Sequence, residues 1–426
     1  MTTSQPSALP IGGLASTDGP PLRLPAEHFA AALTFLALGA VGLVWVAPEL
    51  SAGAFFAPRV AGVVHLFTLG FITTSMIGAL YQFLPVAVGT PIRSQQAAHV
   101  TFGLLVSGIP TFVLALVTGA RPLIPVGAGA LALALAIFAV NLMATLARAK
   151  TRSLSWWALA GASFFLVVTL SFGFALALNL TTGFAAESRF VLLAAHVHVA
   201  IVGWVMLVMV GVAHRLLPMF LISHGATERP GWVAVTCLAA GCALLALPLG
   251  PKVRVAGGVV IAAGVVAFLV QVAMFHRHRR KRTLDPGLRL ASAGLLGLAV
   301  ALVLAPFALS RGLEDPRLLT EYVFLLVVGG ISLFIAGHYY KIVPFLVWYH
   351  RFGSLVGKRP VPKVADLYSA RLAQLNVLAL VAGVLAIAAG IFLVSAPLVR
   401  AGALAFAGGV GLEIREMIRI ARRRPT

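Results

Sequence analysis

Residues 190–209 read FVLLAAHVHVAIVGWVMLVM, from Phe190 to Met209, twenty residues without a Lys, Arg, Asp or Glu. At about 1.5 Å per residue such a run spans the roughly 30 Å hydrocarbon core of a bilayer as one helix. It also carries two histidines, His196 and His198, in its middle. An imidazole in an apolar interior needs a partner, so ionisable residues inside a membrane helix point to function. A helix turns about 100° per residue, which aims His196 and His198 to opposite sides. They cannot chelate one metal together; the helix is suited to lie between two separate ligands or partners.

Similar apolar runs recur along the chain and mark twelve spans, at 28–49, 58–86, 99–120, 122–147, 154–179, 187–218, 230–249, 254–275, 288–310, 319–347, 369–394 and 397–420. With 60% hydrophobic residues, 10% charged and a mean hydropathy of +1.00, no soluble domain could present this composition to water. The expected fold is an all-α polytopic membrane protein of twelve transmembrane helices. Residues 1–26 are rich in Ser, Thr, Pro and Gly and lack the basic start and short apolar core of a signal peptide. They read as a disordered cytoplasmic tail. Cys237 and Cys242 lie five apart in the seventh span, off a common face, and read as small buried apolar residues rather than a disulfide or metal pair.

The net charge of +20 is unevenly distributed. With the N-terminus placed inside, 24 of the 32 Lys and Arg fall on the tail, the even-numbered connections and the C-terminus. That is the positive-inside pattern, and it places both termini on the cytoplasmic side of an inner (cytoplasmic) membrane. The basic blocks at 277–282, 358–363 and 422–424 suit anionic lipid headgroups and require no nucleic acid.

A repeat is hidden in the spans. His65, Gly70, Gly78, Tyr81 and Pro85 match His198, Gly203, Gly211, His214 and Pro218 at a shift of 133. A further shift of 126 reaches Phe324, Gly329, Gly337, Tyr340 and Pro344. Three pseudo-repeats of four helices follow, over about 27–150, 151–285 and 286–421, with 422–426 as a basic tail. Small residues serve close helix packing and prolines end helices, whatever the function. Packing does not require the histidine, which copies one and two keep and copy three replaces by Phe324.

His65 lies about 10 Å along its helix from Pro58, and His196 and His198 about 12–15 Å from Ser188, so the three share a depth in the outer half. Near the inner face, Tyr81, Gln82, His214, Arg215, His338, Tyr340 and Lys341 gather. These read as headgroup anchors, with a proton route or second site as the alternative. His28 and His99 read as boundary residues and the last two spans as scaffold. None of the twelve acidic residues is expected inside a span.

Neutral imidazole ligates haem iron, and a membrane haem can be held between histidines on different helices. Zinc or copper would want three or four nitrogen or sulfur ligands together. The residues therefore suggest b-type haem, one or two, with copper not expected. His65 and one of the span-six pair, taken as its repeat-mate His198, would be axial ligands. His196 would hold a second haem with an open position or only hydrogen-bond.

The string His-x-His-x4-Gly-Trp, from His196 to Trp204 and on to Gly211 and Leu217-Pro218, resembles the haem-bearing helix of haem-copper oxidase catalytic subunits, closest to the cbb-type oxidases. Twelve helices in three repeats also resemble that superfamily and the NnrS-like membrane proteins. The resemblance implies that His196 ligates a high-spin haem, and that His198 and His65 ligate a low-spin haem. Here, however, the motif lies on the sixth helix rather than the tenth, and the copper-ligating histidines have no counterpart in 230–249. The expected function is haem-linked electron transfer or NO or O2 handling, with a redox partner subunit or cytochrome, rather than proton-pumping oxygen reduction. Two other readings stand beside it: a transporter or channel with pathway histidines, and a degenerate assembly or scaffold subunit.

Overall fold

In hydrocarbon every backbone N–H and C=O must find its partner within the chain, and a helix does this locally. The apolar runs accordingly form helices in the structure, a computed structural model that describes residues 21–247 and 250–425. Among the described residues twelve helices are long and apolar enough to cross a membrane. They are α1 (Arg23–Trp45), α2 (Pro58–Pro85), α3 (Gln95–Thr118), α4 (Leu123–Leu146), α5 (Leu154–Thr182) and α6 (Arg189–Leu221). The second half comprises α7 (Arg229–Ala246), α8 (Pro251–Arg277), α9 (Pro286–Arg311), α10 (Pro316–Leu355), α11 (Ala370–Phe392) and α12 (Ala396–Arg422). The protein is an all-α polytopic membrane protein. Most of the expected tail, residues 1–20, lies outside the described residues. Its last few residues are not tail: α1 begins at Arg23, because Leu24 and His28 are fully buried and draw the first turn into the bundle.

The repeat offsets reappear in the backbone. Eight residues of α2, α6 and α10 wind as π-helix, at Leu66–Thr73, Val199–Met206 and Leu325–Ser332. These are the shifts of 133 and 126, and the segments begin directly after His65, His198 and Phe324. A π turn leaves a carbonyl short of its usual donor. The Thr74 hydroxyl donates to the Leu69 carbonyl at 2.9 Å and Ser332 to Val327 at 2.8 Å, each five residues back. Gly70 and Gly203 let the first helix of their repeat press against the second, since a Cβ there would lie 2.6 Å from Cβ of Phe35 and of Phe165 respectively.

A second recurring device joins the third and fourth helices of each repeat, which pack closely in all three. Helix starts leave N–H groups without intrahelical partners. Asn141 on α4 accepts from the Ser94 N–H at 3.0 Å and donates to the Ser94 carbonyl at 2.9 Å. Gln271 on α8 accepts from the Gly231 N–H at 2.9 Å and donates to the Thr227 carbonyl at 3.0 Å. On α12, Glu416 accepts from the Ser369 N–H at 2.6 Å. The second helices α2, α6 and α10 converge at the centre, where with Phe29 of α1 they line a cavity of about 60 Å³.

Candidate functional site

The bundle has a basic face, where α1 begins and α12 ends, and an opposite face, where α2 and α6 begin. His65 and His196 each lie seven residues into their helices, about 10 Å from the opposite face, and His198 about 3 Å deeper. The equal depth of His65 and His196 follows from the sequence positions of Pro58 and Arg189.

Trp204 pins the two histidine helices together: its indole N–H donates to the Thr73 hydroxyl of α2 at 3.3 Å, within a buried contact. The indole also meets the Phe138 ring edge to face at 5.7 Å. Residues Arg189–His198 of α6 include no buried side chain, whereas seven of the eight residues in the π segment that follows are buried. The histidines thus stand where α6 passes from an accessible mouth into the packed core.

His65 and His198 share one posture. Nδ1 of His65 lies 2.7 Å from the Ala61 carbonyl, and Nδ1 of His198 lies 2.7 Å from that of Ala194. The carbonyl must receive a proton, so Nδ1 is the N–H and Nε2 keeps its lone pair, the arrangement that makes a histidine a metal ligand. The posture alone does not make a site, for the exposed His278 bonds the Met274 carbonyl in the same way. The buried His28 and His338 share it too, so what sets His65 and His198 apart is their place near His196 in the halves of α2 and α6 toward the opposite face. His65 is steadied further by Phe112, whose ring it meets at 5.2 Å. His196 points toward α5: a Cβ on Gly173 would lie 2.9 Å from its Cε1. Its Nδ1 is buried without a hydrogen-bond partner, and the ring stands within electrostatic reach of His65. Of the two histidines on α6, His196 is thus the one within electrostatic reach of His65. His198 turns back onto its own helix.

These nitrogens suit an iron-bound haem. The donor set is imidazole, two rings have their tautomer fixed with Nε2 outward, and the third has an orphaned nitrogen. Among the described residues no group of three or more His, Cys, Asp or Glu could hold a metal ion by protein ligands alone.

The residues expected near the inner face do not form one site. Tyr81 and Tyr340, each 1% exposed, are core residues rather than headgroup anchors, because α2 and α10 are interior along this length. Tyr81 packs against His28 at 5.5 Å and Phe138 at 5.7 Å in the first repeat. His214 meets Phe275 at 5.8 Å and Glu228 at 3.2 Å in the second. Tyr340 meets Tyr368 at 5.4 Å in the third. His338 lines the central cavity, and Arg215 is exposed. Lys341 pairs with Asp285 and sits 5.6 Å over the Phe220 ring. Burial works against ionising Asp285, but Lys281, Lys341 and the Leu288 N–H outweigh it and hold the carboxyl below its ordinary value.

Two expectations are corrected here. His28 is not interfacial: it is fully buried, between Tyr81 and Phe102, because Gly78 leaves room for it. Acidic residues do enter spans, since Glu413 and Glu416 on α12 are both 0% exposed. The signal was available: α12 buries Val399, Gly402, Phe406, Gly409 and Val410, and the same stripe continues through Glu413 and Glu416. His99 does stand at the boundary, bonded to Glu27 at 2.8 Å. No protein-family model matches the chain, and no curated protein matches it significantly.

Proposed function

We propose that the chain is a haem-binding redox protein of the membrane, in which His65 and the histidines of His196-Val197-His198 ligate b-type haem iron. The observation that carries this reading is the set of three imidazoles within about 3 Å of one depth on α2 and α6, with Nδ1 of His65 and His198 bonded back to their own helices at 2.7 Å. His65 is the ligand common to any arrangement: His196 is within electrostatic reach of it, and His198 is its counterpart in posture. Bound haem would supply one-electron chemistry and a site for a diatomic gas such as NO or O2. The protein's own part is to fix the imidazoles, to exclude water below them with Trp204 and the buried π segments, and to join α2 to α6.

Electron transfer or gas handling fits this site better than proton-pumping oxygen reduction, which would call for copper ligands beside the iron. The basic face, with 24 of the 32 Lys and Arg, fits a cytoplasmic side and contact with anionic lipid, and so an inner-membrane location with both termini inside. A redox partner subunit or cytochrome would be the electron source.

Single alanine variants test the assignment. In His65→Ala the low-spin haem signal is lost, and the span-six variant that reproduces this loss identifies the second axial ligand. Unchanged haem content and spectrum in all three variants would sink the reading.

A further inference from the structure

We propose that Glu413 and Glu416 form a proton-binding site inside α12, filled from the basic face and standing beside the hydroxyl groups that border the central cavity. The site is separate from the histidines, and its test requires no haem.

Glu416 is the outer member. Its Oε2 accepts from the Ser369 N–H at 2.6 Å, and its Oε1 lies 3.7 Å from the guanidinium of Arg419, which is 44% exposed. It therefore joins the interior to a solvated cation. Glu413 lies three residues deeper on the same face, and neither of its carboxyl oxygens has a hydrogen-bond partner. Beside it stands Asn376, whose Nδ2 donates to the Gly409 carbonyl at 2.7 Å. A carboxylate whose two oxygens lack partners in a sealed interior is unfavourable, since its lone pairs have lost their water. One proton on Glu413 removes that buried charge.

Among the described residues no cation pairs with Glu413. From α11 it faces neutral Asn376, and from α10 it faces Tyr339 and Tyr340. Arg415 on α12 and Arg371 on α11 are exposed. Near the start of α1, Arg23 pairs with Glu27, which bonds His99. In the short helix Ala47–Ser51, Glu49 pairs with Arg59 at the opposite face. Tyr368 lies beyond Tyr340, toward Asp285.

A second, independent group stands near the pair. The Tyr340 hydroxyl is buried, lacks a partner, and stands within electrostatic reach of both glutamates. Next to it, Tyr339 is in reach of Glu413 and shares a 2.8 Å hydrogen bond with Ser75. Tyr339 and Ser75 both line the central cavity. A proton entering at Glu416 thus passes to Glu413 and arrives next to the polar edge of that cavity. No bond other than O–H is made or broken.

Infrared spectroscopy of the full chain in lipid nanodiscs tests this. At neutral pH the wild type should show the C=O stretch of a protonated carboxylic acid in apolar surroundings, and the band should shift on transfer to D2O. In a Glu321→Gln background, which removes the carboxyl outside the pair that has a buried unpartnered oxygen, Glu413→Gln should remove the band, and Glu416→Gln should keep it but slow the shift several-fold. Absence of the band in the wild type, its persistence in Glu413→Gln on that background, or failure to shift over hours would overturn the proposal. Equal exchange rates with and without Glu416→Gln on that background would also overturn it. Should the Glu413 variant misfold, an apolar carbodiimide, which attacks protonated carboxyls, supplies the reading on wild type. An adduct mapped to Glu413 by mass spectrometry supports the site, and an unmodified Glu413 in the native protein refutes it.

Discussion

Gly173→Ala should disturb the histidine site while leaving the fold intact. A Cβ at residue 173 would stand 2.9 Å from Cε1 and 3.4 Å from Nδ1 of His196. Favourable contact between such atoms begins at about 3.5 Å, so the ring must move by roughly 0.6 Å. Ring rotation absorbs that displacement at about 0.5–1.5 kcal/mol of off-rotamer strain. If His196 binds haem iron, about 1 kcal/mol of that strain lowers haem affinity roughly fivefold and alters the ligand field. The assay is haem content and the reduced-minus-oxidised spectrum of the purified variant, with its yield as the measure of folding. Gly161→Ala on the same helix is the control, because its Cβ would meet only the tip of Leu207, at 3.3 Å. A Gly173→Ala protein with wild-type haem content and spectrum, or a Gly161→Ala protein equally disturbed, would refute the role given to His196.

Gln271→Leu removes both bonds that clasp α8 to the start of α7 and leaves the Gly231 N–H and Thr227 C=O without them, at a cost of about 2–4 kcal/mol. Thermal unfolding in detergent should show a clear fall in midpoint, and an unchanged midpoint would contradict the clasp. Asp285 is held below its ordinary value, so its contribution to stability is present above its unfolded pKa of about 4 and is lost as pH falls through the lower folded value. Asp285→Asn should be less stable at neutral pH and should lose part of the acid-induced decline, which parallel stability curves against pH would disprove.

Much of the architecture was legible because membrane burial forces long apolar runs. The shifts of 133 and 126 that align His65, His198 and Phe324 were legible too, and the π segments recur at the same shifts. The π segments were not legible: nothing in the apolar run 66–73 distinguishes a π-wound stretch from an α-helix until Thr74 is seen bonding five residues back. The repeat pointed to His198 as the mate of His65, but which of His196 and His198 faces His65 depends on how α2 and α6 are rotated against each other, which no spacing in the sequence fixes. Glu413 and Glu416 were overlooked through their nearness to the basic C-terminus, where charge suggests solvent. Their place on the stripe of Phe406 and Gly409 says otherwise. Tyr81 and Tyr340 resemble interfacial aromatics in sequence, and only the packing of three second helices around a centre makes them core.

The central claim is that His65, His196 and His198 hold haem. The most direct measurement is the reduced-minus-oxidised absorption spectrum of the full chain, purified from cells with ample haem. The account predicts a b-type signal that is lost in His65→Ala; a colourless protein of native fold would contradict it.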